Sequence, residues 1–225
     1  MALLLLHGAL GAASDFDTLV PLLKPREIYT LNFEGHGGQP IPEHPFRMEH
    51  FVENVLTSMN KSNLDQVDIF GYSMGGYVAL YLALQQPDRI GKIMTLATKF
   101  DWTPESAARE TRFLDADKIL EKVPQYATTL QNMHGEMWRD VLNATAEMMH
   151  HLGDDPALTD MQIGEIKNPV RISLGDRDKM VTMDESLHVY EQLTNAEFQV
   201  FPSTPHPINQ VAMPVIADAI NAYFS

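Results

Sequence analysis

The chain contains no cysteine among its 225 residues, and this absence excludes several kinds of chemistry. Without a thiol there is no disulfide, no cysteine nucleophile and no zinc site built on thiolates. Long apolar runs are also missing: none approaches the roughly 20 residues that a membrane-spanning helix needs. We therefore expect no membrane span, and we expect the protein to act in the cytoplasm, where disulfides are rare.

Positive charge is scarce as well. Sixteen lysines and arginines stand against 30 aspartates and glutamates, which gives a formal net charge of -14. An acidic chain without a basic run is poorly suited to binding nucleic acid or anionic lipid. We interpret the charge as serving solubility, and we expect the partner to be a small-molecule substrate of a monomer or homodimer.

Short apolar runs alternate with helical patterns along the chain. Each run ends in turn residues, which is typical of buried strands; the runs cover residues 2–6, 28–33, 67–70, 90–97, 170–174 and 198–201. The helical patterns cover residues 15–23 (with Ser14 as N-cap), 48–59, 74–86, 185–193 and 208–223. This alternation predicts an α/β fold with a mostly parallel sheet of about six strands and helices on both faces.

One stretch interrupts the alternation. Residues 99–167 contain helical patterns but no strand pattern, and the stretch is too long for a loop. We predict a helical insertion there, so that residues 1–98 and 168–225 form the core.

The stretch Gly71-Tyr72-Ser73-Met74-Gly75-Gly76 follows one strand and opens a helix. The pattern G-x-S-x-G in this setting is typical of a nucleophile elbow, in which a sharp turn holds the serine oxygen above the sheet. There the N–H of Met74 can point at a developing oxyanion. A serine hydroxyl also needs a base and an acid that orients it. Downstream strand ends supply Asp176 or Asp178 as the acid and His206 as the base.

Together these segments resemble the α/β-hydrolase superfamily over essentially the whole chain outside the insertion. The matching pieces are His7-Gly8, Gly35-His36-Gly37, Gly71 to Gly76, Gly175-x-x-Asp178 and His206. The resemblance implies a Ser73, Asp178 and His206 triad, with Asp176 as the alternative acid, and an oxyanion hole formed by the N–H groups of Ala9 and Met74. It implies no cofactor.

The opening segment, MALLLLHGALGAA, could also be a secretory signal, but no lysine or arginine precedes Lys24 and the apolar run ends at His7. We interpret it as the first strand. Two features depart from the family. The N-terminal hairpin of larger members is missing, which would leave the strand at residues 28–33 at a sheet edge, and Asn32 replaces the aspartate of the Asp-x-x-Gly-His-Gly pattern.

In relatives an insertion at this place forms a cap over the active site. We predict that Leu10, Trp102, Met137 and Trp138 contact an apolar portion of the substrate, although such residues also serve simply to pack a cap on its core. Arg109, Arg112 and Arg139 could face an anionic substrate or only solvent. The histidines at 134, 150 and 151 lack the spacing of a metal site, so no metal is expected.

The predicted function is a serine hydrolase that cleaves an ester or related carbonyl bond through an acyl-enzyme on Ser73. Lyase, thioesterase and carbon–carbon bond hydrolase reactions of the same superfamily are alternatives, since the His-Gly-x-Leu-Gly opening also resembles a lyase group. A non-catalytic sensor of small molecules is another alternative.

Overall fold

The computed structural model describes all 225 residues and contains one six-stranded sheet in which every pairing is parallel. The strands are β1 (Ala2–Leu6), β2 (Ile28–Thr30), β3 (Val67–Tyr72), β4 (Ile90–Leu96), β5 (Val170–Gly175) and β6 (Ala196–Phe201), in the spatial order β2-β1-β3-β4-β5-β6. The predicted α/β fold is thus confirmed, and β2 lies at one edge of the sheet.

Helices cover both faces of the sheet. They are α1 (Met48–Lys61), α2 (Met74–Gln85), α3 (Pro104–Thr111), α4 (Ala116–Lys122), α5 (Pro124–His134), α6 (Trp138–Asp154), α7 (Asp160–Glu165), α8 (Met183–Gln192) and α9 (Met213–Tyr223). None of these helices combines the length and the apolar content that crossing a bilayer requires.

Strand β1 shows why its sequence is uniformly apolar. Leu4 and Leu6 pack into the apolar cluster shared with α1 and α2, whereas Leu3 and Leu5 pack into the cluster shared with α9. Because successive side chains of a strand point to opposite faces, a strand covered on both faces has no polar side. Helix α2 is also buried nearly all round, and it is therefore apolar on every side.

Two helix predictions were wrong in detail. Residues 15–23 do not form one α-helix but two 3-10 helices, Ala13–Phe16 and Val20–Leu22, and the first is capped at Ala12 rather than Ser14. Pro21 has no N–H to extend a helical ladder through this segment. At the other end of the chain, a 3-10 helix (Ile208–Gln210) precedes α9, so residues 208–223 are not one helix.

The segment between β4 and β5 contains only helices, α3 to α7 and a short 3-10 turn (Gly135–Met137). Its last part packs on the sheet, because Met148, Leu152 and Ile163 lie in the same apolar cluster as β1 and α2. A separate cluster, formed around Leu130 and Trp138, holds α4, α5 and α6 together. The division into a core and a cap at residues 99 and 167 stays a prediction.

Candidate active site

Ser73 occupies the sharp turn between β3 and α2. Its φ of 50° and ψ of -118° are unusual for a residue other than glycine, and such strain persists only where surrounding contacts hold it. The backbone N–H of Ser73 donates to the carbonyl of Leu96 (2.8 Å), and the Thr98 hydroxyl donates to the carbonyl of Ser73 (3.0 Å). Strand β4 and the residues after it therefore fix the turn.

Glycine at position 75 lets this turn approach β1. A β-carbon there would lie 2.2 Å from the carbonyl oxygen of Leu6, which is backbone and cannot give way. At position 76 a β-carbon would lie 2.1 Å from the hydroxyl of Thr98. The glycines of the G-x-S-x-G-G stretch therefore serve close packing around the serine.

Ser73, His206 and Asp178 meet in space. Ser73 Oγ lies 3.4 Å from His206 Nε2, and His206 Nδ1 lies 2.8 Å from Asp178 Oδ2. The first distance is at the long end for a hydrogen bond, as is common before a substrate binds. Each residue stands at the carboxyl end of a strand (β3, β5 and β6), where the sequence pattern placed it.

The other aspartate of the Gly175-Asp176-Arg177-Asp178 stretch faces elsewhere. Asp176 Oδ1 accepts a hydrogen bond from the N–H of Thr204 at 3.3 Å, and its side chain is 35% exposed. The side chain of Asp178 is 1% exposed, and its Oδ1 accepts two backbone N–H groups, from Met180 and Val181, both at 2.8 Å. These bonds fix the carboxylate with Oδ2 toward the imidazole.

Glycine at position 175 lets the loops that carry Asp178 and His206 lie close together. A β-carbon there would lie 2.0 Å from the carbonyl oxygen of Thr204, two residues before His206. The loop after β5 can therefore pass directly against the loop after β6 only because this position has no side chain.

The loop after β1 lies beside Ser73. Leu10 has a φ of 59°, and a turn bond from the N–H of Gly11 to the carbonyl of Gly8 (3.1 Å) shapes the loop. The N–H of Ala9 makes no hydrogen bond within the protein. Met74 is the first residue of α2, where the N–H has no partner in the helix. Both residues line the same cavity as Ser73.

A cavity of about 430 Å³ opens over Ser73, and 14 of the 21 residues that line it are hydrophobic. Of the four residues predicted to contact the substrate, Leu10 and Trp102 line this cavity, whereas Met137 and Trp138 do not. Trp138 is buried in the cluster that holds α4 to α6 together, and Met137 lies on the surface in the turn before α6. Other lining residues come from distant elements, among them Met48, Tyr126 and Met180.

Three buried histidines support the loops around this cavity. His7 accepts a hydrogen bond from the N–H of Phe33 (3.2 Å), and its pKa lies well below the ordinary value because burial and nearby His36 disfavour a charge. Burial also lowers the pKa of His36 to about 4. Each imidazole is therefore neutral at pH 7 and can accept as well as donate hydrogen bonds.

His134 connects the helical segment to the loops that follow β1 and β2. Its Nδ1 accepts from the N–H of Gly37 (3.0 Å) and its Nε2 donates to the carbonyl of Leu10 (3.0 Å). Burial lowers its pKa. His150 instead contacts the hydroxyl of Thr111 (3.1 Å), so the histidines at 134 and 150 have separate partners.

Comparison with known proteins agrees with this architecture. A family model described as alpha/beta hydrolase fold matches residues 2–152. The chain is 26% identical over 188 residues to human serine hydrolase-like protein 2, covering 82% of this chain and 59% of that protein. It is 22% identical over 255 aligned positions to the mouse sn-1-specific diacylglycerol lipase ABHD11, covering 100% of this chain and 81% of that protein.

A shorter match, 33% identical over 95 residues, joins 42% of the chain to 35% of a pimeloyl-[acyl-carrier protein] methyl ester esterase from Neisseria meningitidis. The chain spans 59% and 66% of the lengths of two human serine hydrolase-like relatives.

Among solved structures, a 2-hydroxy-6-oxo-6-phenylhexa-2,4-dienoate hydrolase from Rhodococcus superposes with a TM-score of 0.83 at 20% identity. That superposition covers 99% of this chain and 90% of the other, and at this identity it shows the fold alone. The family model spans well over half of the chain, and the matched range includes β1 to β4 and the turn at Ser73. The protein belongs to the alpha/beta hydrolase fold family.

Proposed function

We propose that the protein is a serine hydrolase that cleaves an ester or related carbonyl bond of a small molecule through an acyl-enzyme on Ser73. The observation that carries this proposal is the continuous line from Ser73 Oγ through His206 to the carboxylate of Asp178. A serine with a base within reach, and a base oriented by an acid, is the arrangement that activates a hydroxyl.

The bonds change in two stages. Ser73 Oγ attacks the carbonyl carbon while its proton passes to His206 Nε2, and the tetrahedral intermediate collapses as the carbon–oxygen bond breaks and His206 protonates the departing alcohol. Water then attacks the acyl group, giving a proton to His206 that returns to Ser73 Oγ. Asp178 holds the proton on Nδ1, so that Nε2 is free to accept.

Charge that develops on the carbonyl oxygen is held by two backbone donors in this proposal. The N–H groups of Ala9 and Met74 are both free and both belong to residues that line the cavity. Donors fixed by the backbone need no reorganisation during the reaction, and one such donor is worth about 10²–10³-fold in kcat.

The apolar lining of the cavity supports a substrate with an apolar portion. Phe113, Met148 and Met149 come from the helical segment, which would act as a cap over Ser73. Two relatives are named for ester cleavage, a diacylglycerol lipase and a methyl ester esterase, and this favours ester cleavage over the lyase and carbon–carbon bond reactions.

A fluorophosphonate probe tests the proposal directly. We expect the probe to add covalently to Ser73 of the folded chain, as read by mass spectrometry of the labelled peptide. We also expect hydrolysis of p-nitrophenyl esters with an optimum above the shortest acyl chains, because the cavity is apolar. A folded sample that is neither labelled nor active would point to a sensor, and activity confined to acyl thioesters would point to a thioesterase.

Cations gather on one side of this site, in a chain whose net charge is strongly negative. A second cavity of about 520 Å³ shares Glu110, Phe113 and His206 with the first. It is also lined by four cations, Arg109, Arg112, Arg177 and Lys179. Arg109 pairs with Glu110 at 3.0 Å and Arg177 with Asp176 at 3.8 Å, whereas Arg112 and Lys179 have no carboxylate within 4.0 Å. Such a surface attracts an anionic group, so the proposed substrate carries one beside its apolar portion.

Removal of the two unpaired cations, Arg112 and Lys179, tests whether the substrate carries an anionic group. In the double variant Arg112→Ala with Lys179→Ala, we expect KM for a mono-p-nitrophenyl dicarboxylate to rise roughly threefold to tenfold, since exposed charges are each worth below about 1 kcal/mol. The neutral ester of equal chain length should be unaffected. Arg139→Ala is the matched control, because Arg139 pairs with Asp117 and lines neither cavity. Equal losses on both esters would contradict the anion site.

A further inference from the structure

Three side chains with metal-binding atoms converge on the connection between β2 and α1, outside the cavity over Ser73. Glu34 follows β2, His44 lies in the loop, and His50 lies in the first turn of α1. Glu34 Oε1 is 3.7 Å from His44 Nδ1 and 4.0 Å from His50 Nδ1, and all three atoms lie within 4.8 Å of one another.

One oxygen of the Glu34 carboxylate is hydrogen-bonded and the other is not. Its Oε2 accepts a hydrogen bond from the side-chain amide of Asn54 at 3.2 Å, and the N–H of Glu34 donates to the same side chain at 2.8 Å. Its Oε1 is buried and has no hydrogen-bond partner. A buried carboxylate oxygen without a hydrogen-bond partner lowers the stability of the folded protein. A bound ligand would supply the missing partner.

The two imidazoles present the same nitrogen to the same place. Nδ1–H of His44 and Nδ1–H of His50 both donate to the carbonyl oxygen of Pro45, at 3.3 and 3.2 Å, and the ring centroids are 3.9 Å apart. A metal ion bound at these nitrogens would replace both protons and both hydrogen bonds. Two positively charged rings at this separation would repel each other. A cation between the two nitrogens and Glu34 Oε1 would instead bind both rings in their neutral form.

We propose that Glu34, His44 and His50 bind one zinc ion. Two imidazole nitrogens and one carboxylate oxygen suit Zn²⁺, whose bonds of about 2.0–2.2 Å place tetrahedral ligands some 3.3–3.5 Å apart. The side chains need to close by about 1 Å or less from the two glutamate–histidine separations. His44 is nearly half exposed, so water can complete the tetrahedron on that side.

The ion has a structural role in this proposal. The loop that it would brace also carries Phe33, whose N–H donates to His7, and Gly37, whose N–H donates to His134. Through His134 the same loop is connected to the carbonyl of Leu10, in the loop beside Ser73. None of the three ligands lines the cavity over Ser73, so the site stands whether or not the proposed hydrolase function holds.

Titration calorimetry of the full chain, stripped of metal with EDTA, tests the site with zinc sulfate. We expect one ion per chain and a melting temperature raised by about 5–10 °C at a hundredfold excess over Kd. His44→Ala and His50→Ala should each weaken affinity at least tenfold. Cobalt(II) should give the visible absorption of a tetrahedral site, and this absorption should be lost in the same variants.

The adjacent histidines of α6 provide the matched control. His150→Ala with His151→Ala removes two imidazoles elsewhere on the surface and should leave zinc binding unchanged. Absence of saturable zinc binding would overturn the proposal, as would binding that survives the loss of both His44 and His50. Because His44 makes only surface contacts, its variant is expected to fold even if Glu34→Gln does not.

Discussion

Replacement of Ser73 by alanine is expected to lower kcat for ester hydrolysis by roughly 10⁵–10⁶-fold, the size of effect that loss of the nucleophile has in serine hydrolases. Residual turnover would come from the oxyanion donors and from binding alone. The measurement is steady-state hydrolysis of the best p-nitrophenyl ester, with fluorophosphonate labelling as a second readout. Labelling at this position should disappear entirely.

The fold should survive this change. The bond from the N–H of Ser73 to Leu96 and the bond from Thr98 to the carbonyl of Ser73 both involve the backbone of residue 73, and alanine keeps them. The Oγ that is removed contacts only His206. Melting temperature and circular dichroism should therefore match those of the unchanged protein.

Ser173→Ala is the matched control for that experiment. Ser173 is a buried serine of β5 whose hydroxyl has no hydrogen-bond partner and which does not line the cavity. Its replacement should leave kcat unchanged, because no step of the proposed reaction uses it. If Ser73→Ala kept more than about 1% of the activity, the acyl-enzyme on Ser73 would be wrong.

The sheet could be predicted from sequence because its strands are covered on both faces. A run such as Leu3 to Leu6 has no polar position, and a turn follows it at once, so neither a surface helix nor an exposed strand accounts for it. The turn at Ser73 could also be predicted from sequence, because neighbouring atoms leave no room for a β-carbon at its glycines. These atoms are backbone at positions 71 and 75 and the Thr98 hydroxyl at position 76.

The shape of the substrate cavity could not be predicted in the same way. Leu10 and Trp102 line the cavity, and their contact with a substrate stays a prediction. Tyr126 and Met180 reach the cavity from helices and loops whose mutual packing has no periodic signal in the sequence. Trp138 shows the converse: an aromatic residue of the helical segment can be buried among its own helices, out of reach of the cavity. The convergence of Glu34, His44 and His50 could not be predicted either, because these residues have no regular spacing in the sequence.

Replacement of Asp178 by asparagine is expected to lower kcat by about 10⁴-fold with little change in KM, whereas Asp176→Asn should stay within about twofold of the unchanged protein. Both changes remove one negative charge from the same short loop. A general effect of charge near the site would therefore lower both activities together, and comparison of the two variants separates that effect from the proposed role of Asp178.

The size of the loss follows from the hydrogen bonds around residue 178. Oδ1 accepts from the N–H groups of Met180 and Val181, and an asparagine must keep its oxygen there because its NH₂ group cannot accept them. The NH₂ group is then forced toward His206 and donates to Nδ1. That bond puts the imidazole proton on Nε2, so His206 can no longer take the proton from Ser73.

The activity of Asp178→Asn should recover little at any pH. The loss is caused by the wrong tautomer of His206 and not by a shift of its pKa. A loss in Asp176→Asn that matched the loss in Asp178→Asn would show that the acid is not Asp178 alone. Asp176 is expected to contribute only the turn bond to the N–H of Thr204, at 3.3 Å, and an exposed ion pair with Arg177 at 3.8 Å. An asparagine oxygen can accept the turn bond as well, and an exposed ion pair adds little to stability.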